Sequence, residues 1–139
     1  MKRRNWQLGI LAILLVVMAY PACVLGYTWV KVLRSPLPGG RDGPLDAYRH
    51  TLASALVAYS AGPAAVDLAT QLLEFRDKSS SRMDRHNNHI GAVIGSHVAR
   101  FADLEPTVRA QVLRGDVNAT NTDQITWLPA AFWRDGRFW

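Results

Sequence analysis

From Leu8 to Val30 the chain runs 23 residues without a charge. Coiled as a helix, that stretch measures about 34 Å, enough to cross a bilayer core of about 30 Å. No other feature so limits what these 139 residues can build. Trp6 precedes the run and Tyr27 and Trp29 close it, as aromatics do at the headgroup level. Pro21, in its second half, is expected to kink it, which membrane helices tolerate. The basic start, Lys2, Arg3 and Arg4, holds that end in the cytoplasm. The rest of the chain is then expected on the far side of the inner membrane. A cleaved signal peptide has the same grammar: a basic start, the apolar "LGILAILLVVMAY", then "PAC". A retained single-pass signal anchor over 1–34 is the expectation adopted, and either version carries the domain out of the cytoplasm.

The formal charge of +5 invites a search for an acidic partner, but its location excludes nucleic acid. Lys2, Arg3, Arg4, Lys31 and Arg34 carry the whole excess, and beyond them eleven basic residues meet eleven acidic ones. A nucleic-acid binder concentrates positive charge on its folded part. Cys23 is the only cysteine and lies inside the apolar run. Neither a disulfide nor a thiolate site serves the domain, which must hold by its core alone.

Past the anchor, "SPLPGGRDGP" (35–44) interleaves three prolines with three glycines and reads as a linker. A first bundle helix opens on Pro44 and stops at Gly62. A second, "PAAVDLATQLLEFRDK", opens on Pro63. The third, "RMDRHNNHIGAVIGSHVARF", follows three serines, with Ser81 and Asp84 spaced as a capping box. A fourth, "EPTVRAQVLRG", ends at Gly115. No strand-like alternation persists and no repeat occurs. The expected class is all-α: a membrane helix, a bundle of about four helices over 45–115, and an irregular aromatic-rich tail over 116–139 with one short helical turn near Leu128 to Trp133.

Two clusters of polar residues exceed what a small bundle needs. Asp46 and His50 stand four residues apart and share a helix face, with Arg49 beside them. Such a pair is either a dipole-complementing acid with a local partner, or an acid that orients a histidine and raises its basicity. On the third helix Asp84, Asn88, Gly91 and Gly95 share a face, flanked by Asn87. The two glycines bare the backbone and let another helix come close. The asparagines are therefore expected against a neighbouring helix, facing Asp46 and His50. His86, His89 and His97 share the other face, but the outer two are about 16 Å apart. One ion could take His86 and His89 at most, so a divalent metal is not the favoured account and no cofactor is expected. Glu74, on the second helix, is either its solvated edge or a member of the cluster.

Taken jointly, "DAYRHTLASAL" and "MDRHNNHIGAVIG" resemble a bacterial helical domain family of unknown function. In that family Asp, an aromatic, Arg and His open one helix, Asp, a variable pair, Asn-Asn and a glycine open another, and an acidic residue lies between. Members occur in secreted and surface proteins and in some polymorphic toxins. The resemblance covers about Pro44 to Ser96. It implies that Asp46, Arg49, His50, Asp84, Asn87 and Asn88 converge, with Glu74 as a further member, and it supplies no reaction.

Two functions follow. One is a hydrolase acting on an envelope component, lipid or peptidoglycan. There His50 would be the general base, Asp46 or Asp84 would orient it, and Arg49 with the asparagine amides would stabilise developing negative charge. No serine or cysteine is placed as a nucleophile, so water is the expected attacker. The other is a membrane-tethered binding or assembly protein whose polar cluster fixes helix register. A cavity reached by solvent favours the first, and a sealed cluster the second. The partners expected are the bilayer and an envelope substrate or protein. The tail, with Trp127, Phe132, Trp133, Phe138 and Trp139 among its last thirteen residues, is the candidate docking element, or packs back on the bundle.

Overall fold

The computed structural model describes residues 2–73, 79–134 and 136. Five helices follow one another: α1 (Lys2–Arg34), α2 (Pro44–Ala61), α3 (Pro63–Leu73), α4 (Ser79–His97) and α5 (Phe101–Leu113). A two-residue parallel pair, β1 (Asp116–Val117) with β2 (Thr126–Trp127), and a 3₁₀ turn over Ala130–Phe132 complete the chain. The class is mostly helical, as the periodicity predicts. The parallel pair was not foreseeable from its two-residue strands.

α2 is the hub. Gly43 in extended conformation and Pro44 at the first turn start it, and Gly62, at φ +87°, ends it. Tyr48, Leu52 and Ala55, at helical spacing, are fully buried beside Leu104, Val108 and Val112 of α5 and Ile125 of the tail. Each of the buried leucines, valines and the isoleucine contributes about 1.5–3 kcal/mol through burial. The Tyr48 hydroxyl donates to Glu105 Oε1 at 2.7 Å, and Arg109 holds the same carboxylate from 2.9 Å, so the polar end of a core aromatic is satisfied.

α4 lies against α2 in parallel: Asp84 stands beside His50, Asn88 beside Ser54, and Gly95 beside Ala58. Gly91 and Gly95 permit the approach. A Cβ at either would lie 2.9 Å from Ser54 Cβ or Ala58 Cβ respectively, inside any real contact. The glycine-spaced face therefore does what its spacing predicts. Both helices begin at one end of the bundle, and that end carries the site.

Three expectations are qualified by the structure. The first, the membrane span, finds no support among the described residues. Among the described residues no helix is long and apolar enough to cross a membrane, and the side chains of 11–17 within the expected span lie outside them. The physical difficulty is that the second half of the stretch is bundle core. Thr28 and Val32 are buried, Val24, Tyr27 and Trp29 pack beside them, and Tyr20 is hydrogen-bonded to Ser60 at 2.7 Å. The second concerns 35–44, which is no loose linker. Gly39, at φ +70°, and Gly43 bring their backbones under the Trp133 ring, 3.0 and 3.1 Å from where a Cβ would stand. Arg41 bridges to Arg134, and Leu128 N–H donates to Asp42 O. The third concerns the capping-box spacing: α4 covers Ser79–His97, so Ser81 lies within the helix as described and does not stand ahead of it.

The tail packs back. Ile125 is fully buried, Trp127 lies against the core, and the Trp133 indole N–H donates to Leu128 O at 2.6 Å. Phe132 stays exposed. Phe138 and Trp139 lie outside the described residues.

Candidate active site

The opening turns of α2 and α4 and the loop before α2 enclose a cavity of about 240 Å³, lined by Arg41, Asp42, Asp46, Arg49, His50, Ser80 and Asp84. Asp46 is its anchor, 2% exposed. Its Oδ2 accepts the Asp42 N–H at 2.6 Å, and its Oδ1 accepts from Arg49 Nη2. Arg49 Nη1 in turn donates to Gly40 O at 3.2 Å, and its guanidinium lies 5.5 Å from the centre of the Trp29 ring. One carboxylate thus fixes both the helix start and the glycine loop ahead of it. Asp42 sits at φ +62°, a left-handed conformation that aspartate tolerates better than most residues.

His50 and Asp84 face this anchor from two helices. His50 Nε2 is 3.4 Å from Asp46 Oδ1 and 3.6 Å from Asp84 Oδ1. The His50 side chain is 26% exposed and that of Asp84 18%, so water reaches both. The Asp84 Oδ1 atom itself is buried and has no hydrogen-bond partner among the described residues. Burial, with the negative charges of Asp46 and Asp42 behind it, pushes the Asp84 carboxyl up to about 7. Asp42 is raised too, first by burial and then by Asp46, with the nearby arginines opposing. Crowded acids beside a histidine in a solvent-reached hollow can accept, hold and pass a proton near neutral pH.

Of the residues singled out by sequence, Asp46, Arg49, His50 and Asp84 converge here. Asn87 and Asn88 do not line this cavity. Asn87, fully buried, pairs its whole amide with one residue of β2: Nδ2 donates to Thr126 O at 2.8 Å, and Oδ1 accepts the Thr126 N–H at 3.0 Å. Asn88 ties three helices, accepting from Ser54 Oγ at 2.9 Å and donating to Thr70 Oγ1 at 3.3 Å. These amides hold α4 in place and are not available to a substrate anion at this cavity. Glu74 lies outside the described residues. Sequence reasoning missed Arg41, Asp42 and Ser80. The one available signal was an Arg-Asp pair set among the glycines of a stretch read as linker.

A second, larger hollow of about 330 Å³ lies between the start of α4 and the tail, lined among others by His86, Asn118 and Trp127. It holds no acid, and its histidine is spent on Gln124 O at 2.8 Å. The titratable cluster lies in the smaller cavity. Comparison of the chain with known protein families, characterised proteins and solved structures finds no match.

Proposed function

We propose that the protein is a hydrolase held at the inner membrane, its bundle outside the cytoplasm, acting on a cell-envelope component. The single observation that carries this is the cavity. Asp46, His50 and Asp84 meet at its wall, and His50 and Asp84 remain within reach of water, which a purely structural network would exclude. Water bound there is the nucleophile. Its proton passes to His50, whose imidazolium is stabilised by Asp46 and Asp84, while Arg41 and Arg49 offer positive charge to the developing oxyanion.

The membrane part rests on the sequence and on one rim. The apolar run ahead of Tyr20 follows a basic start, and exposed Tyr20, Tyr59 and Phe101 ring the end of the bundle from which α1 emerges. Aromatics gather at that depth of a bilayer. A phosphatase reporter fused after Trp139, active only outside the cytoplasm, checks the orientation. Activity of a cytoplasm-only reporter instead would end the envelope role.

The hydrolase is tested with the full chain on isolated peptidoglycan and on phospholipid vesicles, measuring released fragments. His50→Gln should cut release by about 10²–10⁴ while melting within about 1 kcal/mol of the parent. A second reading, a tethered assembly protein with a structural network, is favoured by the way Asp46 is satisfied internally by Arg49 and the Asp42 N–H. Large melting losses for Asp46→Asn, His50→Gln and Asp84→Asn alike, with no release from either substrate, would favour it.

A further inference from the structure

We infer that Asp46, His50 and Asp84 form the ligand face of a divalent transition-metal site, with zinc the ion that the donor set fits best. The three donor atoms are Asp46 Oδ1, His50 Nε2 and Asp84 Oδ1. The histidine nitrogen is 3.4 and 3.6 Å from the two oxygens, and all three atoms lie within 4.8 Å of one another. Around a tetrahedral zinc with bonds of about 2.0–2.2 Å, neighbouring ligands stand about 3.4 Å apart. One imidazole with two carboxylates suits zinc and its neighbours, whereas calcium and magnesium call for oxygen throughout.

Two further observations point the same way. The Asp84 Oδ1 atom is a buried acceptor with no donor among the described residues, turned toward the histidine nitrogen, and a cation would complete it. Asp46 is already braced as ligating carboxylates are, its Oδ2 held by the Asp42 N–H, while Arg49 shares the Oδ1 that faces His50. The charges around the cavity leave room for a cation. Asp42, Asp46 and Asp84 outnumber Arg41 and Arg49, with Ser80 neutral. Protons on His50 and Asp84 are the competing occupants, so affinity must rise with pH.

The chemical consequence rests on the hydrolase reading. Three protein ligands leave a fourth position open to the cavity for water, whose pKa the ion lowers to about 7. The O–H bond then breaks heterolytically, the electron pair stays on the ion-bound oxygen, and the proton goes to the Asp42 carboxylate on the same wall. His50 becomes a ligand instead of the proton acceptor.

The test is cobalt(II) titration of the full chain in detergent, read by visible absorption. We expect an intense tetrahedral band saturating at one ion per chain, displaced by zinc, with affinity growing from about pH 5.5 to about pH 7.5. His50→Gln and Asp84→Asn should each weaken it at least about a hundredfold, and the exposed control Asp67→Asn should not. Because either variant could misfold, the His50 ring-nitrogen chemical shift in the unaltered protein is followed as zinc is added, and it should move. Absence of both band and shift, or a band that survives both substitutions, overturns the site. Envelope cleavage that persists after full chelation, without a cobalt band, sinks the metal and keeps the hydrolase. A tight cobalt site with no turnover does the reverse.

Discussion

Replacing Asp84 with asparagine should make the protein more stable at neutral and alkaline pH and leave it nearly unchanged below about pH 4. The wild-type carboxyl is pushed from 3.8 up to about 7 in the folded state, chiefly by burial and next by Asp46 and Asp42. Below about pH 4 the folded and unfolded chains both hold the proton, and the stabilisation is fully present. As pH rises the unfolded chain ionises first, and stability declines until the pH passes the folded value. The gap between the two values corresponds to about 4 kcal/mol, of which about 2–3 kcal/mol falls between pH 5 and pH 8. Because the side chain is 18% exposed, water offsets part of this. Asparagine keeps the shape and never ionises. With a chelator present, so that no cation neutralises the site, thermal melting by circular dichroism should match the parent's at about pH 3.5. Near pH 8 the variant should melt higher by about 10 °C. Parallel pH profiles for the two proteins would show that Asp84 ionises freely, and the account of a crowded, buried carboxyl would fall.

Two further perturbations address the frame around the site. Gly91→Leu forces a side chain into Ser54 and the α2 backbone and should cost about 3 kcal/mol or more, seen as early melting; a melt within about 1 kcal/mol of the parent would mean that α2 and α4 do not meet closely there. Asn87→Ala strands the buried N–H and C=O of Thr126 and should cost about 2–4 kcal/mol, with amide exchange at Thr126 rising well before that of α2; unchanged exchange would show that the tail is held by something else.

The helices were legible because local chemistry starts and stops them. Pro44 and Gly62 bracket α2, and the Gly91–Gly95 spacing announced a close helix contact. Asp46, Arg49 and His50 were legible as a unit for the same reason, since one helical turn brings them together. What stayed hidden depends on distant chain. Asn87 finds its partner at Thr126, 39 residues away, and nothing nearby in sequence announces a β2 backbone waiting for an amide. Asp84 was legible both as a cap and as a site residue, because three serines ahead of it offer a helix start, and its place beside His50 depends on the packing of α4 against α2. Arg41 and Asp42 were taken for linker because proline and glycine usually mean loose chain, while here glycine means room for the Trp133 ring. The apolar run was weighed against lipid alone, although its second half answers to the protein core as well.

The pairing of α1 with α2 has a bearing on reach. The two run antiparallel, Tyr20 meeting Ser60 and Trp29 meeting Arg49. Asp46 therefore lies fourteen residues along α2 from the level at which α1 departs, a rise of about 21 Å. If the emerging end of α1 is fixed in a bilayer, the cavity is carried on a rigid post of helix and opens well clear of the headgroups. On the proposed hydrolase reading, a post of that height suits a substrate that stands off from the membrane, such as a wall polymer, and holds Asp46, His50 and Asp84 away from any ester at the lipid plane.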